Sequence, residues 1–274
     1  MLLDKKENFD IVPLIVMSFK KGGEKLKIIL FIFIFMTTWS LAAKELVVGL
    51  ADEDYPPFYF VKNGKLQGSS LEITQIVAKK LGYKLIFRRY PWARVLENLK
   101  TGKIDLVVHL FKTAERATSV FYVGVPHIFE TSGLFVPKGS PIQYTGNLEL
   151  LKTYKFANIR GYSHGKTYDS ADYLNKNRVT SEVNLIRMLL AHRVDLGVGN
   201  KSVILWHAKK LKVADKIKFL TPALHDDPCY IAFSRIKPRA KALASAFTAE
   251  LVRFKKTRQF KKIIKKYNFD QRKN

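Results

Sequence analysis

The chain has 274 residues, 47% hydrophobic and 26% charged, with 48 Lys and Arg against 23 Asp and Glu, a net charge of +25. That length suits one large domain or two lobes of roughly 100–130 residues each. The composition excludes disorder, a multi-span membrane protein and a small stapled domain, and the single cysteine, Cys229, excludes an intrachain disulfide framework and any multi-thiolate metal site.

In chain order, the first segment is basic and then apolar: Lys20, Lys21, Lys25 and Lys27 precede an apolar run at 28–36. As a helix that run reaches only ~14 Å, against a hydrocarbon core of ~30 Å. With small residues at Ser40 and Ala42, the pattern predicts a secretory signal over 1–43, cut near Ala42 or Ala43, with Met17 as an alternative start. Without it the chain keeps 42 basic and 19 acidic residues, a net +23.

Residues 46–51 read as a buried strand, bounded by Asp52, Glu53 and Asp54 and by Pro56 and Pro57. A helix follows Ser69 and Ser70, with Leu71, Ile73, Ile76, Val77 and Leu81 on one face and Gly82 as its stop. Residues 84–87 are the next strand. Trp92, Val95, Leu96 and Leu99 keep helical spacing between Pro91 and Gly102, which assigns Trp92 to the packed stripe. Residues 105–110 complete a βαβαβ unit of a parallel sheet.

The rhythm recurs with strands at 134–136, 156–159, 196–198 and 230–233. Helices are predicted at 168–175, 183–190, 202–211, 239–254 and 257–267. No 20–50-residue period repeats, which excludes solenoids and propellers. The tail 253–273 holds ten Lys and Arg against Asp270. Phe260, Ile263, Ile264 and Tyr267 form an apolar stripe there, so the lysines read as a solvated helix face. No nucleic-acid motif is present, and no nucleic-acid partner is expected.

The residues then become recognisable. Val47-Val-Gly49, Asp54-Tyr-Pro-Pro-Phe58 and Gly64-Lys-Leu-Gln-Gly68 are followed in order by Pro91-Trp92, Leu99-Lys-Thr-Gly-Lys-Ile-Asp105 and Thr113-Ala-Glu-Arg116. Ser132-Gly133, Lys138-Gly-Ser-Pro141, Arg193-Val-Asp195 and Tyr230-Ile-Ala-Phe233 complete a series covering roughly 45–269. It resembles the bacterial extracytoplasmic solute-binding proteins of family 3, the polar amino acid receptors of ATP-driven importers.

The resemblance implies an α/β, two-lobed periplasmic-binding-protein-like fold of type II, each lobe a mixed, mostly parallel sheet flanked by helices, with a hinged cleft between. Lobe 1 would take 44–133 plus 226–274, and lobe 2 would take 134–225. It further implies a periplasmic monomer, not an enzyme, that captures a carboxylate-bearing small molecule or amino acid and delivers it to an inner-membrane ABC permease; an orphan or sensory binder is the alternative. No cofactor is expected, and the six histidines show no paired metal-ligand spacing.

For the site, the resemblance places Arg116 on the ligand carboxylate, a role that a planar guanidinium fork suits. Tyr55 and Phe58 fall where an aromatic meets the ligand, with core packing the competing reading for Phe58. Tyr162 and Ser163 lie in Gly161-Tyr-Ser-His-Gly165, where backbone amides and a hydroxyl would face an anion. Ser163 as a plain helix cap fits equally. Three positions depart from the family pattern: Asn200 stands where an aspartate usually binds the ligand ammonium, Phe111 at a Ser or Thr position, and Ser70 where an aspartate is common. Glycines 161 and 165 around Ser163 also satisfy the nucleophile-elbow pattern, with Asp195 and His225 following, so a serine hydrolase is the competing enzyme hypothesis.

Overall fold

The computed structural model describes residues 44–268; the expected signal at 1–43 lies outside the described residues. Strand β1 (Lys44–Ala51) buries Leu46, Val48 and Leu50. A hairpin of β2 (Phe60–Lys62) and β3 (Lys65–Gln67) leads into α1 (Ser69–Lys80), β4 (Tyr83–Tyr90), α2 (Trp92–Lys100) and β5 (Leu106–Phe111). β1 runs parallel to both β4 and β5, so the βαβαβ unit predicted from hydrophobic rhythm forms. One helical turn, α3 (Ala114–Ala117), and short β6 (Val120–Tyr122) precede the long strand β7 (Ile128–Pro137).

The second half runs β8 (Lys155–Ile159), α4 (Lys166–Asp169), β9 (Asn175–Val179), α5 (Glu182–Leu190), β10 (Leu196–Asn200) and α6 (Lys201–Lys210). Short β11 (Ile217–Phe219) and long β12 (His225–Ser234) follow, and α7 (Ala240–Lys255) and α8 (Arg258–Lys266) end the described chain. The strands follow one path, β4-β1-β5-β12-β7-β10-β8-β9, with β6 on β12 and β11 on β7. β7 and β12 are its centre. Residues 128–132 of β7 pair antiparallel with 225–229 of β12. From Ser132 onward β7 pairs with β10, and from Cys229 onward β12 pairs with β5.

Each half of the path buries both faces. Around β1, β5 and β12, Val48, Leu106, Ile231 and Phe233 pack with Phe247, Leu251, Phe254 and Phe260 of the two final helices. Val95 and Leu99 of α2 cover the opposite face through Val107 and Leu110. In the second half, strand alternation sends Leu134 and Val136 to one core and Phe135 to the other, where Leu185, Ile186 and Leu189 of α5 meet it. Phe260, Ile263 and Ile264 are buried as the stripe predicts, and the lysines of α8 face outward. Among the described residues no helix is long and apolar enough to cross a membrane.

Two expectations change. The helix predicted at 168–175 is a single turn, α4, followed by an edge strand, β9. The sequence of β9, Asn-Lys-Asn-Arg-Val, lacks apolar alternation because only Val179 in it is buried. Trp92, assigned to the packed stripe, is only half-buried, and its indole Nε1 donates across to the carbonyl of Gly161 at 3.1 Å.

The turn into α1 depends on Gly68, whose φ of 142° lets Ser69 N–H and Ser70 N–H donate to the carbonyls of Pro57 and Phe58. A Cβ there would sit 2.2 Å from the Phe58 oxygen. Gly68→Ala is therefore expected to cost about 3 kcal/mol, from backbone strain plus the clash. Gly64→Ala, at φ 71° with open space around it, should cost only about 1 kcal/mol. Urea midpoints at unchanged slope read the difference.

Candidate functional site

The C-terminal ends of β1, β5, β8 and β10 carry the residues that sequence singles out, as expected for open α/β sheets. Thr113 caps α3 by accepting the Arg116 N–H at 3.2 Å, which fixes the direction of the arginine. Its guanidinium donates through Nη1 to the Phe111 carbonyl at 3.0 Å and through Nη2 to the Gly161 carbonyl at 2.7 Å. Both partners are carbonyls rather than carboxylates. Burial pulls the Arg116 pKa down from its ordinary value, but a guanidinium stays charged in proteins.

Below the guanidinium lies a cavity of about 30 Å³, walled by Tyr55, Trp92, Phe111 and Tyr162 and floored by His109 and Glu130. It has room for little more than a water molecule or two. The Tyr162 ring meets Tyr55 and Trp92 edge-on at 5.7 Å and 5.8 Å. A wider groove of about 740 Å³ shares Arg116, Tyr162 and Ser163 with the cavity and continues past Asp169, Lys176 and Arg178.

The floor is a chain of buried polar groups. Tyr55 OH donates to Glu130 Oε1 at 2.6 Å, and Glu130 Oε2 faces His109 Nε2 at 2.7 Å. His109 Nδ1 faces the Ser70 hydroxyl at 3.0 Å, and that hydroxyl also meets His127 Nε2 at 2.8 Å. Burial, then the neighbouring Glu130, pushes the Tyr55 phenol well up, and burial drives His127 well down. Glu130 and His109 are functional candidates that the sequence reading missed. The available signal was one acidic residue at an inward position of an apolar strand, with Ile128 and Ser132 as its buried neighbours.

The other sequence candidates divide. Phe111, Tyr55, Tyr162 and Ser163 line the cavity with Arg116. Phe58 lies behind it, 1% exposed, its ring 4.2 Å from that of His109. The Asn200 amide is spent on structure: Oδ1 accepts from Ser202 N–H and Val203 N–H at the start of α6, and Nδ2 donates to the Thr131 carbonyl. Ser163 donates its hydroxyl to Asp169 Oδ2, while His164 N–H donates to Oδ1 of the same carboxylate. A carboxylate of the chain itself thus occupies part of the anion-facing loop. The hydrolase constellation does not assemble, since Asp195 accepts from Lys155 N–H and His225 pairs with Asp227.

Above the aromatic wall, Tyr162 OH donates to Glu182 Oε1 at 3.2 Å, and Glu182 meets Glu53 side chain to side chain. Burial, then Glu53, pushes the Glu182 pKa from 4.5 to about 8. A carboxyl group whose folded pKa is raised contributes stability that is full below its unfolded pKa and lost as pH rises through the folded one. Between about pH 5 and pH 8 this residue therefore makes the protein less stable as pH rises, by at most about 1.4 kcal/mol per unit. Glu182→Gln should flatten that dependence, read as urea unfolding free energies of wild type and variant across the window.

Three comparisons place this geometry among known proteins. Residues 46–271 match the family model of bacterial extracellular solute-binding proteins, family 3. A probable amino-acid ABC transporter periplasmic-binding protein of Sinorhizobium fredii is 25% identical over 82% of this chain and 77% of its own length. A probable amino-acid-binding protein of Bacillus subtilis is 25% identical over 60% of this chain, a match spanning 62% of that relative, under two thirds of its length. Among solved structures, an ancestral arginine-binding protein bound to arginine superposes with a TM-score of 0.69 at 27% identity, covering 82% of this chain and 99% of that one. A histidine kinase sensor domain shares the fold with a TM-score of 0.72 at 23% identity, over 82% and 96% of the two chains. The chain belongs to the bacterial extracellular solute-binding proteins of family 3.

Proposed function

We propose that the protein captures a small carboxylate-bearing solute, an amino acid or a derivative of one, and presents it to an ABC permease, acting as a monomer in the periplasm after removal of the 1–43 segment. It performs no chemistry on the solute. One observation carries the reading: a charged, half-buried guanidinium, Arg116, held over an aromatic-walled cavity by two backbone carbonyls. A ligand carboxylate would replace those carbonyls with a bidentate, charge-assisted pair. The relatives described as amino-acid-binding support the ligand class.

The lobes of this reading are 44–133 with 226–274, and 134–225. The exchange of partners along β7 and β12 supports a crossing at those strands. The Arg116 and Trp92 bonds to Gly161 link one lobe to the other. Opening would break both bonds and enlarge a cavity too small for an amino acid, and the ligand would favour the closed form by its differential contacts.

A thermal-shift screen of amino acids, opines and small carboxylates tests this. A ligand at 100-fold over its Kd should stabilise the protein by about 2.7 kcal/mol. Arg116→Ala should weaken any hit by about 2–5 kcal/mol, as when one partner of a buried charge pair is removed. An Arg116→Ala variant that shifts as wild type does would overturn the carboxylate clamp.

A further inference from the structure

Glu53, in the loop after β1, and Glu182, the first residue of α5, bring two carboxylates together with the imidazole of His207 on α6. One ligand atom from each of the three lies within 4.8 Å of the others. Glu182 is 3% exposed and His207 5%. Glu53 Oε2 is shut off from solvent and has no hydrogen-bond partner. Adjoining carboxylates withdrawn from water require a positive charge between them, either a proton or a cation. The nearby basic side chains are engaged elsewhere: Arg89 and Lys210 both pair with Asp54, at 3.0 Å and 3.8 Å.

The groups behind the cluster are arranged as they are behind metal ligands. His207 Nε2 lies 2.9 Å from the Asp54 carbonyl, which can only accept, so Nε2 carries the proton and Nδ1 keeps a lone pair. A backbone carbonyl that orients an imidazole in this way, and a phenol that holds a ligating carboxylate, as Tyr162 OH holds Glu182 Oε1, are standard outer partners of a bound ion. We propose that Glu53, Glu182 and His207 bind one divalent first-row transition-metal ion of the zinc or manganese type, which fastens the loop after β1 to α5 and α6. Imidazole in the donor set disfavours calcium and magnesium, and the absence of sulfur from this trio disfavours copper(I). A second trio, His109, Glu130 and Cys229, is comparably close. There both Glu130 oxygens already have partners, Tyr55 and His109, so it serves as the control.

The test is calorimetric titration of zinc and of manganese into the metal-free protein, with cobalt as a spectroscopic probe. Expected is saturation at one ion per chain. Glu182→Gln and His207→Gln should each weaken binding about 100-fold or more, while Cys229→Ser leaves it unchanged. Glu53→Gln, at the half-buried member, provides a loss variant with less risk to folding. Cobalt should give ligand-field bands without a sulfur-to-cobalt charge-transfer band. Failure of every ion to bind, binding that survives Glu182→Gln, or binding that disappears with Cys229→Ser overturns the proposal. The experiment is independent of Arg116 and of any carboxylate ligand, so its failure would leave the proposed solute-binding role standing.

Discussion

The antiparallel pairing of residues 128–132 of β7 with 225–229 of β12 is the constraint on which the rest of the molecule depends. These two strands are the only ones in the described sheet path that join its two halves, and each exchanges partners along its length. Their register also aims side chains. Ile128, Glu130 and Ser132 alternate inward, so Glu130 reaches the cavity floor between Tyr55 and His109. A slip of one residue would turn the carboxylate away and push Phe129 or Thr131 into its place.

That inward carboxylate is tolerable because its surroundings satisfy it. Tyr55, Glu130, His109, Ser70 and His127 form one connected polar chain through an otherwise apolar interior. Such a chain is strong when every member is bonded and costly when one is lost, since the remaining groups are already out of water. Burial holds the Cys229 thiol well up and His127 well down, so both are neutral next to it. The aromatic wall rests on this chain through Tyr55, which ties the shape of the cavity to the bonding beneath it.

Charge is distributed unevenly over the fold. The chain is strongly basic overall, and its lysines lie mainly on outer faces such as that of α8. Several carboxyl groups lie near the cavity: Glu130, early in β7, in the floor, Asp169 at the end of α4, and Glu53 with Glu182 above the wall. Arg116 sits among them with only carbonyls as bonded partners. The groove beside it carries both signs of charge, with Lys176 and Arg178 as well as Asp169 in its lining.

The sequence by itself determined the periodic parts. Leu71, Ile73 and Val77 give α1 a buried stripe, and apolar runs give β1, β5 and β10, because each element's burial is written in its own spacing. Arg116 was legible through the resemblance carried by Thr113-Ala-Glu-Arg116, and the structure gives that motif its form, a Thr113 cap followed by one helical turn. Only the tertiary structure decided that Asn200 caps α6, that Asp169 takes the Ser163 hydroxyl, and that Trp92 reaches Gly161. It alone joined His109 to Glu130 and Glu53 to Glu182. These are contacts between elements whose spacing follows strand register and the path of the sheet, and no local period along the chain encodes a distance across it.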